Sequence, residues 1–298
     1  MKNDSVNGLV PLTNLDSQTF EKTITKLENF WKAKSIAYLD KFGLPTLSAI
    51  AVTDWNQEIK QNILEICHNK NWNSVVIRTD KEKETGQNIP RGGYLVGMDN
   101  LENEIQKHLQ NGRIVMVLEP RDKFQNLYGI NVIYDNPETL YFEVVGSGFD
   151  VSNLNRGDII PHERFTVNLH GEELEILNHD VISQSEYEKS VNYRYKQIGE
   201  SVLEENMEFT EEEKIQSGKN YLKTHGYMLL ENSKNYQPLP NDDIKKIRNN
   251  IRKLPHLMLK MGLDTDVFVL SSTIFDSGEL VFWDIVWPKS KFEGVMYG

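Results

Sequence analysis

The sequence predicts an α+β protein, on three observations. Short apolar strands alternate with amphipathic helices up to about residue 118, the chain turns β-rich from Gly129, and a strand–turn–strand follows a charge-dense helical stretch near the end. Residues 1–112 are expected to form an N-terminal lobe and 113–298 a C-terminal lobe, the latter with a helical insertion over about 185–262 and a closing hairpin.

Each element has a local reason. Ser17 to about Phe42 reads as one helical region, with Phe20, Ile24, Leu27 and Trp31 on one face and Ile36, Leu39 and Phe42 continuing the stripe, until Gly43 and Pro45 stop it. Leu47–Val52 is a short strand. Asn56–Asn69 is a helix that turns Ile59, Ile63 and Ile66 inward. A strand ending at Arg78 precedes a glycine-containing loop, then a helix at Met98–Asn111 with Leu101, Ile105 and Leu109 at core spacing, then a buried strand at Ile114–Leu118. Gly129–Tyr134 and Leu140–Val145 flank a turn at Asp135-Asn136-Pro137. Residues 185–225, with acidic stretches at 204–208 and 211–213, are expected to be a solvated helical surface. Asp242–Met261 is a helix interrupted by Pro255, and Val267–Phe275 pairs with Leu280–Trp287 across Asp276-Ser277-Gly278-Glu279.

Composition narrows the function. The 298 residues carry 33 basic and 44 acidic side chains, a formal charge of −11, which argues against a nucleic-acid or anionic-membrane partner. No apolar run approaches the roughly 20 residues that cross a bilayer, and the first residues lack a secretory core, so a cytoplasmic protein is expected. Cys67 is the only cysteine and reads as a buried helical residue. The seven histidines show no paired metal spacing; His162-Glu163-Arg164, after Pro161, reads as a surface turn.

The candidate chemistry lies on charges in apolar strands. Ser74–Asp80 carries Arg78 and Asp80, Arg113–Glu119 ends on Glu119, and Leu280–Val286 contains Asp284. Such charges are costly unless a partner, an ion or a ligand meets them. The loop Gln87–Tyr94, with Arg91, Gly92 and Gly93, offers backbone amides and a guanidinium suited to phosphate. Together these residues point to a nucleotide site.

Four stretches, in order, resemble the ATP-binding N-terminal domain of phosphoenolpyruvate synthase and pyruvate phosphate dikinase, a branch of the ATP-grasp fold. They are Lys32–Leu39 with Gly43-Leu44-Pro45-Thr46, then Val76-Ile77-Arg78-Thr79-Asp80, then Val117-Leu118-Glu119, and Gly146-Ser147-Gly148-Phe149 with Leu154–Pro161. The resemblance spans about residues 28–165, with a weaker tail over 264–288. It implies a two-lobed ATP-grasp-like fold with a nucleotide cleft between mixed or antiparallel sheets. It also implies ATP and Mg²⁺ as cofactors. Lys32 matches the lysine on the phosphates (Lys34 if the register slips), and Arg78 matches the phosphate-binding arginine, whose fork suits phosphate oxygens. Arg91, Gly92 and Gly93 match the mobile loop over the phosphates, Glu119 the adenine contact, and Asp284 a magnesium ligand.

Departures accompany the likeness. Trp31 stands for a glycine, Ser271 or Ser272 for a second metal carboxylate, and Trp287 for an arginine. The family's phosphohistidine domain and pyruvate-binding barrel have no counterpart, so a complete dikinase or synthase is not expected. The expectation is a stand-alone, Mg-dependent phosphotransferase or ligase acting on an unknown small-molecule or protein acceptor. The alternative is a catalytically inactive binding or regulatory module working with a protein partner. A chance resemblance would show itself if Arg78, Glu119 and Asp284 did not converge on one cleft.

Overall fold

The computed structural model describes residues 8–82, 94–121, 125–146, 148–149, 151–157, 159–203, 208–225, 236–263 and 265–286. The chain forms two compact units. One comprises Met1–Asp122, Leu254–Ser271 and Val281–Gly298, the other Lys123–Lys253 and Ser272–Leu280.

The first unit contains a five-stranded sheet in the order β1 (Leu9–Pro11), β2 (Ala49–Val52), β5 (Arg113–Leu118), β3 (Ser74–Lys81), β4 (Tyr94–Gly97), with every adjacent pair antiparallel. Period-two alternation gives the sheet two different faces. On one, Val75 and Ile77 of β3 join Val115 and Val117 of β5. They pack beneath Ile59, Ile63 and Cys67 of helix α3 (Gln57–Asn69) and Leu101 and Ile105 of α4 (Met98–Gln110). Each such aliphatic side chain contributes about 1.5–3 kcal/mol on burial. Cys67 is buried, as expected, and burial pushes its thiol pKa up to about 11. The boundary expected at residue 112 falls just before β5, which is hydrogen-bonded to both β2 and β3; the division by contacts comes after Asp122.

One element of this unit differs from expectation. The single helix expected over 17–42 is two, α1 (Ser17–Lys26) and α2 (Trp31–Lys41). Leu27 is fully buried at the end of α1, and Phe30 turns back to donate its amide to the Leu27 carbonyl, 2.8 Å away. Phe30 cannot cap α2 with its own side chain. The cap comes instead from Asp80 on β3, whose carboxylate accepts the Lys32 and Ala33 amides.

In the second unit, β6 (Asn126–Asn136), β7 (Thr139–Val145), β8 (Glu163–Asn168) and β9 (Ile176–Val181) pair antiparallel in that order. The full sheet order is β11 (Leu280–Val286), β10 (Phe268–Phe275), β6, β7, β8, β9, in which β11 from Val281 and β10 up to Ser271 belong to the first unit. Phe142 of β7 stacks on its register partner Phe165 of β8, ring centroids 4.7 Å apart. Helix α5 (Val151–Arg156) follows β7, and α8 (Asn241–Ile251) closes this run of the second unit; α9 (Leu254–Lys260), after the interruption expected near Pro255, belongs to the first.

Helices α6 (Gln184–Val202) and α7 (Glu211–Thr224) correct the expectation of a merely solvated surface. Each starts with a full capping box, Ser183 with Glu186 and Thr210 with Glu213. Yet α6 buries Tyr187, Val191, Tyr195 and Ile198, and the two helices meet at Gly199 and Gly218. The acidic residues 204–207 lie outside the described residues. Among the described residues, no helix is long and apolar enough to cross a membrane.

His162 is likewise not on a surface turn. It is fully buried, its Nδ1 accepting the Gly146 amide at 3.1 Å while the rings of Phe149, Tyr187 and Tyr236 pack edge-on around it. Burial lowers its pKa to about 3. The unfolded chain therefore takes up a proton that the fold refuses as pH falls from about 6.5 to about 3, at ~1.4 kcal/mol of lost stability per pH unit. Stability from this group is complete above the unfolded pKa. His162→Asn, whose Oδ1 can still accept the Gly146 amide, is expected to flatten the slope of unfolding free energy between pH 7 and 5; an unchanged slope would contradict the assignment.

Candidate functional site

The second face of the five-stranded sheet carries the charges. Alternation that sends Val75 and Ile77 to the core sends Val76, Arg78 and Asp80 to the opposite face, where α2 packs. Asp80 is buried, and its Oδ2 accepts the amides of Lys32 at 2.6 Å and Ala33 at 3.2 Å, with Oδ1 accepting the Lys81 amide at 3.0 Å. A carboxylate at the start of a helix satisfies donors that the helix leaves open and lies favourably to its dipole. Asp80 thus fixes where α2 begins, and with it the positions of Lys32 and Ser35.

Arg78 sits between α2 and β11. Its Nη1 donates to the Trp283 carbonyl at 2.8 Å, and its Nη2 lies 3.6 Å from Asp284 Oδ2. The two side chains are 10% and 17% exposed, so this ion pair is screened far less than a surface one. From α2, the Ser35 hydroxyl lies 2.6 Å from Asp284 Oδ1 and 2.9 Å from the Lys32 carbonyl; with one proton it donates to one of them at a time. Lys32, 7% exposed, directs Nζ to the Thr79 carbonyl at 3.3 Å. Trp31 Nε1 donates to the Ile285 carbonyl at 3.1 Å, tying the start of α2 to β11. Lys34, the alternative to Lys32, lies over the Trp31 ring, and burial lowers its pKa.

Arg78 and Asp284 therefore meet, although 206 positions separate them in the chain, and Lys32 sits at the start of α2, with its Nζ on the Thr79 carbonyl. Glu119, the residue matched to the adenine contact, stands farther along the sheet. It follows β5 beyond Leu118, which is opposite Val76, whereas Arg78 is opposite Met116; three residues of strand separate these positions, about 10 Å. Glu119 instead pairs with Arg121 at 3.0 Å. Arg91, Gly92, Gly93 and Trp287 lie outside the described residues. Ser35 and the capping role of Asp80 had no sequence signal, because each depends on a strand or helix remote in the chain.

Two cations and one carboxylate form an anion site more readily than a metal site. Arg78 and Lys32 supply hydrogen-bond donors of the kind phosphate oxygens accept. Magnesium does not fit the described residues as arranged, since Asp284 is engaged by Ser35 and faced by a guanidinium. Ser271 and Ser272 are buried in β10, and among the described residues no group of three or more His, Cys, Asp or Glu could hold a metal ion.

No protein-family model and no curated protein matches the chain. Among solved structures it is similar to D-alanyl-alanine synthetase A from Vibrio cholerae, at 10% identity and a TM-score of 0.43, over 87% of this chain and 54% of that one. It is also similar to a RiPP-associated ATP-grasp ligase from Chryseobacterium gregarium, at 12% identity and TM-score 0.36, over 91% and 54%. A third is N5-carboxyaminoimidazole synthase from Aspergillus clavatus, at 9% identity and TM-score 0.38, over 92% and 50%. The chain spans about half the length of these proteins. TM-scores this low carry no argument for a shared activity.

Proposed function

We propose that the protein binds ATP in an ATP-grasp-like manner and acts as a phosphotransferase or ligase on a small-molecule or protein acceptor. The observation that supports this reading is the Arg78–Asp284 pair, linked through Ser35 to helix α2, whose first turn carries Lys32; Arg78, Asp284 and Lys32 are all residues that the family resemblance selects. Arg78 and Lys32 would bind the phosphates, and Asp80 and Ser35 would hold the elements that carry them. Glu119, paired with Arg121, would reach a base only from the far end of β5.

A second reading is an inactive binding or regulatory module with a protein partner. The Arg78–Asp284 ion pair favours it, because each charge already faces an opposite one, as do the serines at 271 and 272. Turnover separates the two. Under the first reading, incubation with ATP and pooled carboxylate, amine and alcohol acceptors releases ADP, AMP or phosphate together with a modified acceptor. Binding of ATP with no product across the pools would contradict the first reading and support the second.

A further inference from the structure

We propose that Asp284 is the selectivity residue of this site, an internal anion that competes with an incoming phosphate for Arg78. The site then takes polyphosphates without a divalent metal and discriminates against single phosphates. The inference rests on the ATP reading and deepens it.

Three observations carry it. First, the Asp284 carboxylate is held on one side by the Ser35 hydroxyl at 2.6 Å and faces the Arg78 guanidinium on the other. A divalent cation at Asp284 would approach that guanidinium, and like charges at close range repel strongly where water is largely excluded. Second, the Arg78 Nη2 to Asp284 distance of 3.6 Å is an ion pair beyond hydrogen-bond length, whereas Nη1 is fixed on the Trp283 carbonyl at 2.8 Å. The guanidinium is therefore anchored at one nitrogen and only loosely engaged at the other. Third, Lys32 Nζ rests on the Thr79 carbonyl at 3.3 Å, next in sequence to Arg78. An anion with several charges can engage Arg78 and Lys32 together and so offset repulsion from Asp284. A single phosphate gains one contact and meets the same repulsion.

The test titrates wild type and Asp284→Asn with ATP, tripolyphosphate and inorganic phosphate, each in EDTA and in Mg²⁺. Asn keeps an oxygen to accept the Ser35 hydroxyl and removes only the charge. The expected result is equal ATP affinity of the wild type in EDTA and in Mg²⁺. The variant is expected to bind inorganic phosphate about tenfold more tightly, with a smaller gain for tripolyphosphate. A wild type that needs Mg²⁺ would overturn the inference, as would a variant that binds phosphate no better or ATP more weakly; the ATP reading survives all three. If Asp284→Asn does not fold, the EDTA and Mg²⁺ titrations of the wild type decide alone. No binding of any of the three anions by either form sinks the ATP reading and this inference together.

Discussion

Alanine at Gly199 or at Gly218 is expected to destabilise the protein by about 2–3 kcal/mol, the cost of overpacking a tight contact. A Cβ on Gly199 would lie 1.8 Å from the Lys214 carbonyl oxygen, and one on Gly218 would lie 2.0 Å from that of Tyr195. Both obstacles are backbone, so a flexible side chain cannot swing away to relieve them. The helices would have to part, and α6 would lose its packing with α7. Alanine's better helix propensity opposes this by at most about 1 kcal/mol, so the clash decides the sign. Denaturant unfolding of each variant, beside the exposed control Gln216→Ala, measures it. Values for both glycine variants as mild as the control would show that the helices are not in backbone contact.

Glu163→Ala is expected to cost more, about 3–5 kcal/mol, as for a broken buried charged network. Glu163 is 1% exposed, and its Oε2 accepts both the Tyr236 hydroxyl and the Leu239 amide at 2.8 Å, while Oε1 is 2.7 Å from His179 Nε2. Alanine leaves the two buried donors without an acceptor, which costs their full desolvation. Glu163→Gln should be milder, since its Oε1 can accept from Tyr236 and Leu239 while His179 changes tautomer. Urea unfolding of the pair tests this ordering. Equal destabilisation by Ala and Gln would mean that packing, not hydrogen bonding, holds residues 236–239 against β8.

Where elements carry their own signals, sequence and structure agree closely. Helix α3 begins after Asn56, whose side chain accepts the Ile59 amide, and α4 presents Leu101 and Ile105 as its periodicity requires. The break between α1 and α2 had no local signal, because the carboxylate that caps α2 is 48 residues away on β3. Strands β8 and β9 escaped notice because buried Glu163 and the polar run Asn178-His179-Asp180 disguise the apolar alternation. Burial of α6 did carry a signal, Tyr187, Val191, Tyr195 and Ile198 at helical spacing, which the charge density around it masked; its close approach to α7 rests on glycines, which carry no hydrophobic signal.

At the site, charges in apolar strands pointed to Arg78 and Asp284, and the family resemblance added Lys32 and implied the phosphate and metal roles. Their pairing with one another was not legible. It depends on Ser35, a residue of no evident distinction 249 positions before Asp284. Glu119 could be separated from the group only through the strand register, which a sequence does not display.

The most direct test of the nucleotide site is a calorimetric titration with ATP of the wild type, Arg78→Lys and Arg78→Ala, each first shown to be folded by thermal unfolding. The account predicts saturable binding by the wild type, a partial loss in Arg78→Lys, which keeps the charge but not the fork, and a loss of about tenfold or more in Arg78→Ala. No heat from the wild type up to millimolar ATP, or binding that Arg78→Ala leaves intact, would mean that these charges serve the fold and not a nucleotide.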